Sequence, residues 1–307
     1  MALLKVDKLS VSFMQYTGGL RQQIVQTITD LHLSVNAGEI VAVFGSSGSG
    51  KSLLAHAIMG ILPDNATMSG TIHFDGRILD QDRALSLRGK EIALVPQSVN
   101  YLDPLMRVGA QVRTTAVGED RASAQRAIFK RYRLNDNVER MFPFQLSGGM
   151  ARRVLVSTAA ISGARLIIAD EPTPGMHPDD VTEALNTFRE LADNGCAVLF
   201  ITHDIEAALR IADRIAVFYA GTTVETALAA DFAGDGERLR HPYSKALWQA
   251  LPQNAFVPIP GAQPRPDHLP SGCLFAPRCA RVTDACTESR PEMREVRGGS
   301  ARCIHAS

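Results

Sequence analysis

The residues with the clearest chemical signal lie between Gly45 and Ser52, where the sequence reads GSSGSGKS. This segment fits G-x-x-x-x-G-K-[ST], the pattern of a phosphate-binding loop. Glycines let the backbone wrap closely around an anion, and the free N–H groups at the start of the next helix face the phosphates. Lys51 would reach the β- and γ-phosphates, and the Ser52 hydroxyl would bind Mg²⁺. We predict that the whole loop binds nucleotide: Gly45, Ser46, Ser47, Gly48, Ser49, Gly50, Lys51 and Ser52.

An apolar run that ends in two acids could complete the chemistry. The sequence LIIA at 166–169 is followed by Asp170 and Glu171. In a phosphate-loop nucleotidase the first acid supports Mg²⁺, and the second orients or deprotonates the attacking water. Acid pairs at the end of a strand are common, so the alternative is an ordinary strand–loop junction.

A second glycine-containing segment, LSGGM at 146–150, precedes a helical run. Ser147 is a natural helix N-cap, and Gly148 and Gly149 leave the backbone bare. The segment therefore predicts a second anion-binding helix start. A simple capped helix is the alternative.

The composition and the lengths of the apolar runs limit the classes of protein to which the chain can belong. The chain has 307 residues with 32 basic and 32 acidic side chains, so its formal net charge is zero and gives no prior for nucleic acid. No apolar run approaches the ~18 residues of a membrane helix. Charges interrupt the N-terminal segment too early for a secretory signal. We expect a cytosolic protein whose membrane role, if any, comes through a partner.

Hydrophobic patterns predict elements that position these residues. Strands are expected at 3–13, 27–35, 40–44, 70–76, 91–96, 166–169 and 198–202, helices at 53–59, 121–133 and 179–194, and a hairpin at 214–225. Strands that alternate with helices predict an α/β fold with a mainly parallel sheet, flanked by an antiparallel β subdomain near the N-terminus. The change in character after residue 98 predicts a helical subdomain at about 98–160.

The composition changes again after about residue 235, and 252–277 contains seven prolines. We therefore divide the chain into a nucleotide-binding domain at 1–235 and a loop-rich C-terminal extension at 236–307.

Together these segments resemble an ABC-type ATPase, the nucleotide-binding subunit of an ABC transporter. The resemblance spans roughly residues 3–230 and rests on the order and spacing of its segments. These are GSSGSGKS at 45–52, Gln97 after EIALVP, LSGGM at 146–150, LIIADE at 166–171 and His203 in ITHD.

The resemblance implies a role for each matching residue. Phe13 would stack on adenine, although a strand core residue is the alternative. Gln97 would sense Mg²⁺ and the attacking water, and the membrane partner would dock there. Asp170 would support Mg²⁺, Glu171 would act on the water, and His203 would contact the γ-phosphate.

The resemblance also implies a dimer in which two subunits sandwich two ATP molecules. Ser147, Gly148 and Gly149 of one subunit would complete the phosphate loop of the other. His177 stands where the family usually has an aspartate, in the loop that crosses to the other subunit. We therefore expect two inequivalent sites and a paralogous ATPase subunit as the partner.

Four of the five cysteines lie close together near the C-terminus: Cys273, Cys279, Cys286 and Cys303. Disulfides are unusual in cytosolic proteins, and structural zinc usually needs a closely spaced cysteine pair that is missing here. An iron–sulfur cluster tolerates wider spacing. The segments HPYSKAL at 241–247 and GCLFAPRC at 272–279 resemble the C-terminal extension of oligopeptide, dipeptide and nickel importer ATPases, which implies a [4Fe–4S] cluster. Zinc is the alternative.

The resemblance thus implies the ATP-hydrolysing subunit of an ABC importer for peptides, nickel or a metal–chelator complex. Its cofactors would be ATP, Mg²⁺ and the [4Fe–4S] cluster. It would lie peripherally on the cytoplasmic face of the bacterial inner membrane. Its partners would be transmembrane permease subunits and an external solute-binding protein, without nucleic acid. The alternatives are a soluble ABC ATPase that acts on nucleic acid or ribosomes, and a redox-sensing ABC protein without a transport role.

Overall fold

The computed structural model describes residues 2–17, 21–46 and 48–306. The strands, in chain order, are β1 (Ala2–Thr17), β2 (Arg21–Asn36), β3 (Ile40–Gly45), β4 (Ala66–Phe74), β5 (Arg77–Ile78), β6 (Ile92–Val95), β7 (Leu166–Asp170), β8 (Ala197–Thr202), β9 (Arg214–Tyr219), β10 (Thr222–Leu228), β11 (Arg294–Val296) and β12 (Gly299–Ala301). The helices are α1 (Lys51–Met59), α2 (Gln81–Leu87), α3 (Val108–Thr115), α4 (Arg121–Arg131), α5 (Gly148–Ala160), α6 (Pro178–Asp193), α7 (Ile205–Ile211), α8 (Pro242–Gln249) and α9 (Asp284–Glu288).

The main sheet has the strand order β11-β12-β10-β9-β3-β8-β7-β6. Strands β9, β3, β8, β7 and β6 run parallel, while the β9–β10 hairpin is antiparallel. Every residue of β3, β7 and β8 is buried, because helices or the second sheet cover both faces. The predicted parallel α/β core is confirmed.

The parallel register brings three carboxyl strand ends to one edge of the main sheet. Phe44 lies opposite Thr202, and Asp170 lies opposite Ile201. The phosphate loop after β3, the acids at the end of β7 and His203 after β8 therefore meet there. This edge is where parallel α/β sheets place their ligands.

The second sheet is antiparallel, with the order β2-β1-β4-β5. Strands β1 and β2 have 16 residues each and continue beyond the predicted 3–13 and 27–35. Their outer parts carry exposed side chains such as Tyr16 and Ile24, so no buried face marks them in the sequence. The predicted antiparallel subdomain is present, with longer strands.

Helices α3, α4 and α5 lie in the segment predicted as a helical subdomain. Their apolar faces meet in the main core through residues such as Val112, Phe129 and Leu155. Tyr132 Oη donates a hydrogen bond to Thr187 Oγ1 at 2.7 Å, which ties this segment to α6. The boundaries of this subdomain stay a prediction.

The C-terminal extension contains loops, but it also contributes two strands to the main sheet. Strand β12 pairs with β10, with Glu225 opposite Ala301. Arg302 is buried and donates to Asp30 Oδ2 at 2.7 Å, which links the extension to β2. The division at 235/236 remains a prediction, but strand pairing crosses it. No helix in the described part of the chain has the length and apolar character needed to cross a membrane.

Candidate nucleotide site

A cleft of about 560 Å³ opens at the carboxyl edge of the main sheet. Residues from β2, from the phosphate loop and the start of α1, and from the segments after β6, β7 and β8 line it: Thr27, Gly48, Gly50, Lys51, Ser52, Leu53, Gln97, Glu171 and His203. All of these except Thr27 and Leu53 are site residues predicted from the sequence. Gly45, Ser46 and Ser49 belong to the loop without lining the cleft, and the predicted Ser47 lies outside the described residues.

Three glycines of the loop occupy positions where a side chain would clash with the neighbouring strand or strain the backbone. A Cβ on Gly45 would lie 2.5 Å from the carbonyl oxygen of Phe218 on the neighbouring strand. Gly48 and Gly50 have φ of +77° and +93°, a region that other residues rarely adopt. Gly50 directly precedes α1, so its backbone turns the chain into the helix.

Lys51 holds the loop closed from within. Its Nζ donates to Gly45 O at 2.8 Å and to Ser46 O at 3.0 Å. An ammonium group has three donors, so one N–H is left for a phosphate oxygen. Burial lowers the pKa of Lys51, and the charges of Glu171 and Asp170 oppose that change.

Asp170 is buried beside Ser52, which is the arrangement that a magnesium site needs. Burial raises the pKa of Asp170, and a hydrogen bond from Ser52 offsets part of that rise. Asp170 Oδ1 and Glu171 Oε2 are buried without a hydrogen-bond partner among the described residues. Such oxygens are costly unless a ligand satisfies them. Hard cations prefer oxygen ligands, so this set of donors fits Mg²⁺.

Glu171 and His203 form the reactive pair of the cleft. His203 Nδ1 lies 2.8 Å from Glu171 Oε1, with the carboxylate buried and the imidazole two-thirds exposed. Glu171 has φ of +49°, an unusual conformation for a residue other than glycine. A buried carboxylate held by a histidine at the mouth of a cleft is arranged to accept a proton from water.

Arg152 on α5 positions the backbone at Gln97, and the sequence analysis missed it. Its Nη1 donates to Gln97 O at 2.6 Å and to Pro96 O at 3.1 Å. Burial lowers the pKa of Arg152, and the charges of Glu171 and Asp170 oppose that change. The signal that could have found it is a charged residue on the buried face of a helix, in step with Leu155 and Ala159.

Outside the phosphate loop, the predicted Phe13, Asp170 and LSGG segment do not line the cleft. Phe13 lies on β1 opposite Val25 and Ala66, where it packs partly against apolar core residues. Ser147 caps α5 by accepting a hydrogen bond from Met150 N at 3.3 Å, and Gly148 faces open space. The LSGG segment is therefore an outward-facing helix start, away from the cleft of its own chain.

His177 caps helix α6 in place of the aspartate expected from the resemblance. Its Nδ1 accepts a hydrogen bond from Asp179 N at 3.4 Å, which is long for such a bond. The side chain is 72% exposed. His177 therefore lies on the surface at the start of α6, beside Asp179.

The four C-terminal cysteines are free, and they lie near enough for their charges to interact. Burial raises the pKa of Cys273, Cys279 and Cys303, and the charge of a neighbouring cysteine adds to each rise. Backbone N–H groups point at these sulfurs: Arg281 N, for example, donates to Cys279 Sγ at 3.4 Å. Thiols grouped in this way, with N–H donors around them, fit an iron–sulfur cluster in chemical type.

The spacing of the groups is less favourable. Over 2–17, 21–46 and 48–306, no three cysteine, histidine or acidic side chains are arranged closely enough to hold a metal ion. His305 Nε2 lies 3.5 Å from Cys286 Sγ and is a further nitrogen beside the thiols. The four-cysteine region therefore has suitable donors without assembled ligand geometry.

Comparisons with known proteins show which family the chain is similar to. A family profile described as ABC transporter matches residues 28–174, and one described as oligopeptide/dipeptide transporter, C-terminal region, matches 224–286. The oligopeptide transport ATP-binding protein OppD of Escherichia coli is 34% identical over 319 residues, covering 98% of this chain and 92% of that protein. The dipeptide transport ATP-binding protein DppD of the same organism is also 34% identical, covering 99% and 97%.

Solved structures give the same result for the fold. The dimeric post-hydrolysis structure of the ATP-binding cassette MJ0796, bound to ADP and Pi, matches 74% of this chain and 98% of its own. Its TM-score is 0.64 at 26% sequence identity.

Proposed function

This chain belongs to the ABC transporter ATP-binding family, and we propose that it drives an importer of oligopeptides or dipeptides. Membership makes it the ATP-hydrolysing subunit of a transporter. The cargo class is supported by the match of residues 224–286 to the oligopeptide/dipeptide C-terminal profile and by the relatives OppD and DppD. Nickel and metal–chelator complexes are the competing cargoes.

The contact between His203 and Glu171 carries the proposal for hydrolysis. The free N–H of Lys51 binds the β- and γ-phosphates while its other donors keep the loop closed. Glu171 accepts the proton of the attacking water, and His203 fixes the carboxylate and contacts the γ-phosphate. Ser52, Asp170 and Gln97 would hold Mg²⁺, which neutralises phosphate charge when bound.

The exposed LSGG segment supports a sandwich of two ATPase subunits. Ser147 and Gly148 are exposed and do not line their own cleft, so this helix start is free to meet the nucleotide of a second subunit. Phe13, on the inner strand β1 of the antiparallel sheet, would stack on adenine. Permease subunits would dock near Gln97 at the cytoplasmic face of the inner membrane, and an external solute-binding protein would deliver the cargo.

A paralogous partner subunit follows from His177. An aspartate in the crossing loop could accept hydrogen bonds from the other subunit, whereas an exposed imidazole has a different charge and shape. We expect unequal hydrolysis at the two composite sites of the purified complex. Equal turnover at both sites, unaltered by His177→Asp, would refute this proposal.

We further propose that Cys273, Cys279, Cys286 and Cys303 bind a [4Fe–4S] cluster. Its support is the proximity of the thiols, since neighbouring cysteine charges raise the pKa of Cys273, Cys279 and Cys303, together with the N–H donors around them. Anaerobic purification should give a brown protein that contains iron and sulfide in equal amounts. A colourless protein that contains zinc would assign the site to the alternative metal.

The transport assignment is tested with the complete complex. ATPase activity of the chain, co-purified with its permease and reconstituted in lipid, should rise when the solute-binding protein carries a peptide. A matched complex with Lys51→Ala should show no rise. Stimulation by nickel or a nickel chelate but not by peptides would overturn the cargo. No finding supports the nucleic-acid or ribosome-associated alternative.

A further inference from the structure

The C-terminal extension touches the phosphate loop directly. Ser46 Oγ donates a hydrogen bond to Gln263 Oε1 at 2.7 Å, across a sequence separation of 217 residues. Ser46 is the second residue of the loop, and Gln263 lies in the proline-rich segment between α8 and the first clustered cysteine. The extension therefore meets the chain where phosphate is bound.

Ser46 also connects the extension to Lys51. The carbonyl oxygen of Ser46 accepts a hydrogen bond from Lys51 Nζ at 3.0 Å. The buried Tyr243 hydroxyl, on α8 of the extension, lies against Ser46 as well. One residue of the loop is thus held by Gln263 and Tyr243 on one side and by Lys51 on the other.

Gln263 is itself supported by the cysteine-bearing segment. Arg278 Nε donates to Pro260 O at 2.7 Å, and its Nη2 donates to Ile259 O at 3.2 Å. Arg278 Nη1 donates to Tyr219 Oη at 3.3 Å, at the end of β9. The adjacent residue of β9, Phe218, is the register partner of Gly45. Arg278 thus fixes the chain before Gln263 to the strand beside the phosphate loop.

We propose that Gln263 is a positioning residue for ATP, through which the C-terminal extension holds the phosphate loop in its binding conformation. A loop ordered before the ligand arrives loses less entropy on binding, so the contact increases affinity. Gln263 is not in contact with Glu171 or His203, so the rate of the chemical step is unaffected. The inference rests on ATP hydrolysis by this chain and is independent of the cargo.

The test compares Gln263→Ala with Gln253→Ala in the full-length protein. Gln253 is exposed in the same extension and makes no hydrogen bond within the described residues, so it is a matched control. A neutral hydrogen bond contributes about 0.5–1.5 kcal/mol, so the Kd and KM for ATP should rise about two- to twelvefold in Gln263→Ala. The kcat should stay within about twofold, and Gln253→Ala should match wild type.

A double-mutant cycle ties the effect to the contact. Ser46→Ala removes the donor, so adding Gln263→Ala to it should cause no further rise in Kd. Gln263→Asn is one methylene shorter and also loses the contact, so it should give the same Kd as Gln263→Ala. If poor folding alone raised the Kd, the two variants should differ in Kd. Wild-type affinity in both variants, or additive effects with Ser46→Ala, would overturn the inference. A wild-type protein without ATP turnover would instead refute the ATPase assignment.

Discussion

The nucleotide cleft and the four-cysteine region place reactive groups close together in different ways. In the cleft, Lys51, Asp170, Glu171 and His203 follow the ends of adjacent parallel strands, where the register fixes their separation. The cysteines lie on loops, on the short helix α9 and beyond the last strand. A buried sheet positions side chains without a ligand, whereas short loop segments depend on one.

The two regions also differ in how neighbouring charges affect the pKa values of their side chains. In the cleft, cation and carboxylates compensate one another, because the charges of Glu171 and Asp170 oppose the lowering of the pKa of Lys51 by burial. Among the cysteines the neighbouring charges have the same sign, and they add to the rise caused by burial. In the cleft a lysine therefore offsets the carboxylates, whereas the Cys273 and Cys303 thiols are each disfavoured in the charged form both by burial and by their neighbours.

The largest effect is expected for Lys51→Ala. The substitution removes the phosphate ligand and both bonds that close the loop, so ATP turnover should fall by at least about a hundredfold. Steady-state ATPase measurements check this, with Lys5→Ala as the control, because Lys5 is an exposed lysine on β1. Turnover near the wild-type rate would show that the cleft is not the hydrolytic site.

Glu171→Gln should separate binding from chemistry. The amide preserves the shape of the side chain but cannot accept a proton, so turnover should fall about a hundredfold or more while ATP still binds. Size-exclusion chromatography with ATP should detect a trapped closed dimer. A variant that hydrolyses ATP at the wild-type rate would remove Glu171 from the proposed role of base.

Cys279→Ser tests whether the second region depends on a ligand. The variant should lose bound iron, and its thermal midpoint should drop by about 5 °C, because the extension loses a bond that only the folded state makes. Cys196→Ser is the matched control, since Cys196 is buried beside Ala164 O, away from the cluster. Unchanged iron content in Cys279→Ser would exclude that thiol as a ligand.

The sequence predicted the cleft better than the extension for physical reasons. Loop motifs such as GSSGSGKS combine binding chemistry and local geometry in one segment, and the apolar runs of β3, β7 and β8 mark their strands. Arg152 and Gln263 had no such signal, because each acts on backbone or side chains more than 50 residues away. Helix α8 lies next to the proline-rich segment, which hides its hydrophobic pattern. The strands of the β11–β12 hairpin have three residues each, too few to show a hydrophobic period.

The pH dependence of stability should also differ between the regions. Burial lowers the pKa of His241 to about 3, from 6.5, so the folded state keeps this histidine neutral while the unfolded state binds a proton below pH 6.5. The free energy of unfolding should therefore fall as the pH decreases from about 6.5 toward 3, by at most about 1.4 kcal/mol per unit. Asp170 acts in the opposite direction: its pKa is raised, so the folded state binds more protons just above pH 3.8.

His241→Asn isolates the contribution of the extension. Asparagine can cap α8 as the histidine does, by accepting from Tyr243 N, but does not titrate. Urea titrations between pH 6.5 and 4.5 should show a flatter dependence in the variant than in wild type. Equal slopes would mean that His241 does not control the acid sensitivity of the extension.

The smallest effect is expected for His177→Asp, at the N-cap of α6. The long bond from Asp179 N to His177 Nδ1 makes a weak cap, and aspartate is among the preferred N-cap residues. Its charge also suits the positive end of α6, although Asp179 and Asp180 already lie in that first turn. The isolated chain should gain about 0.5 kcal/mol in urea unfolding. This gain in the free energy of unfolding is local to the start of α6. A change in the ATPase activity of the complex would therefore report the contact that residue 177 makes with the second subunit.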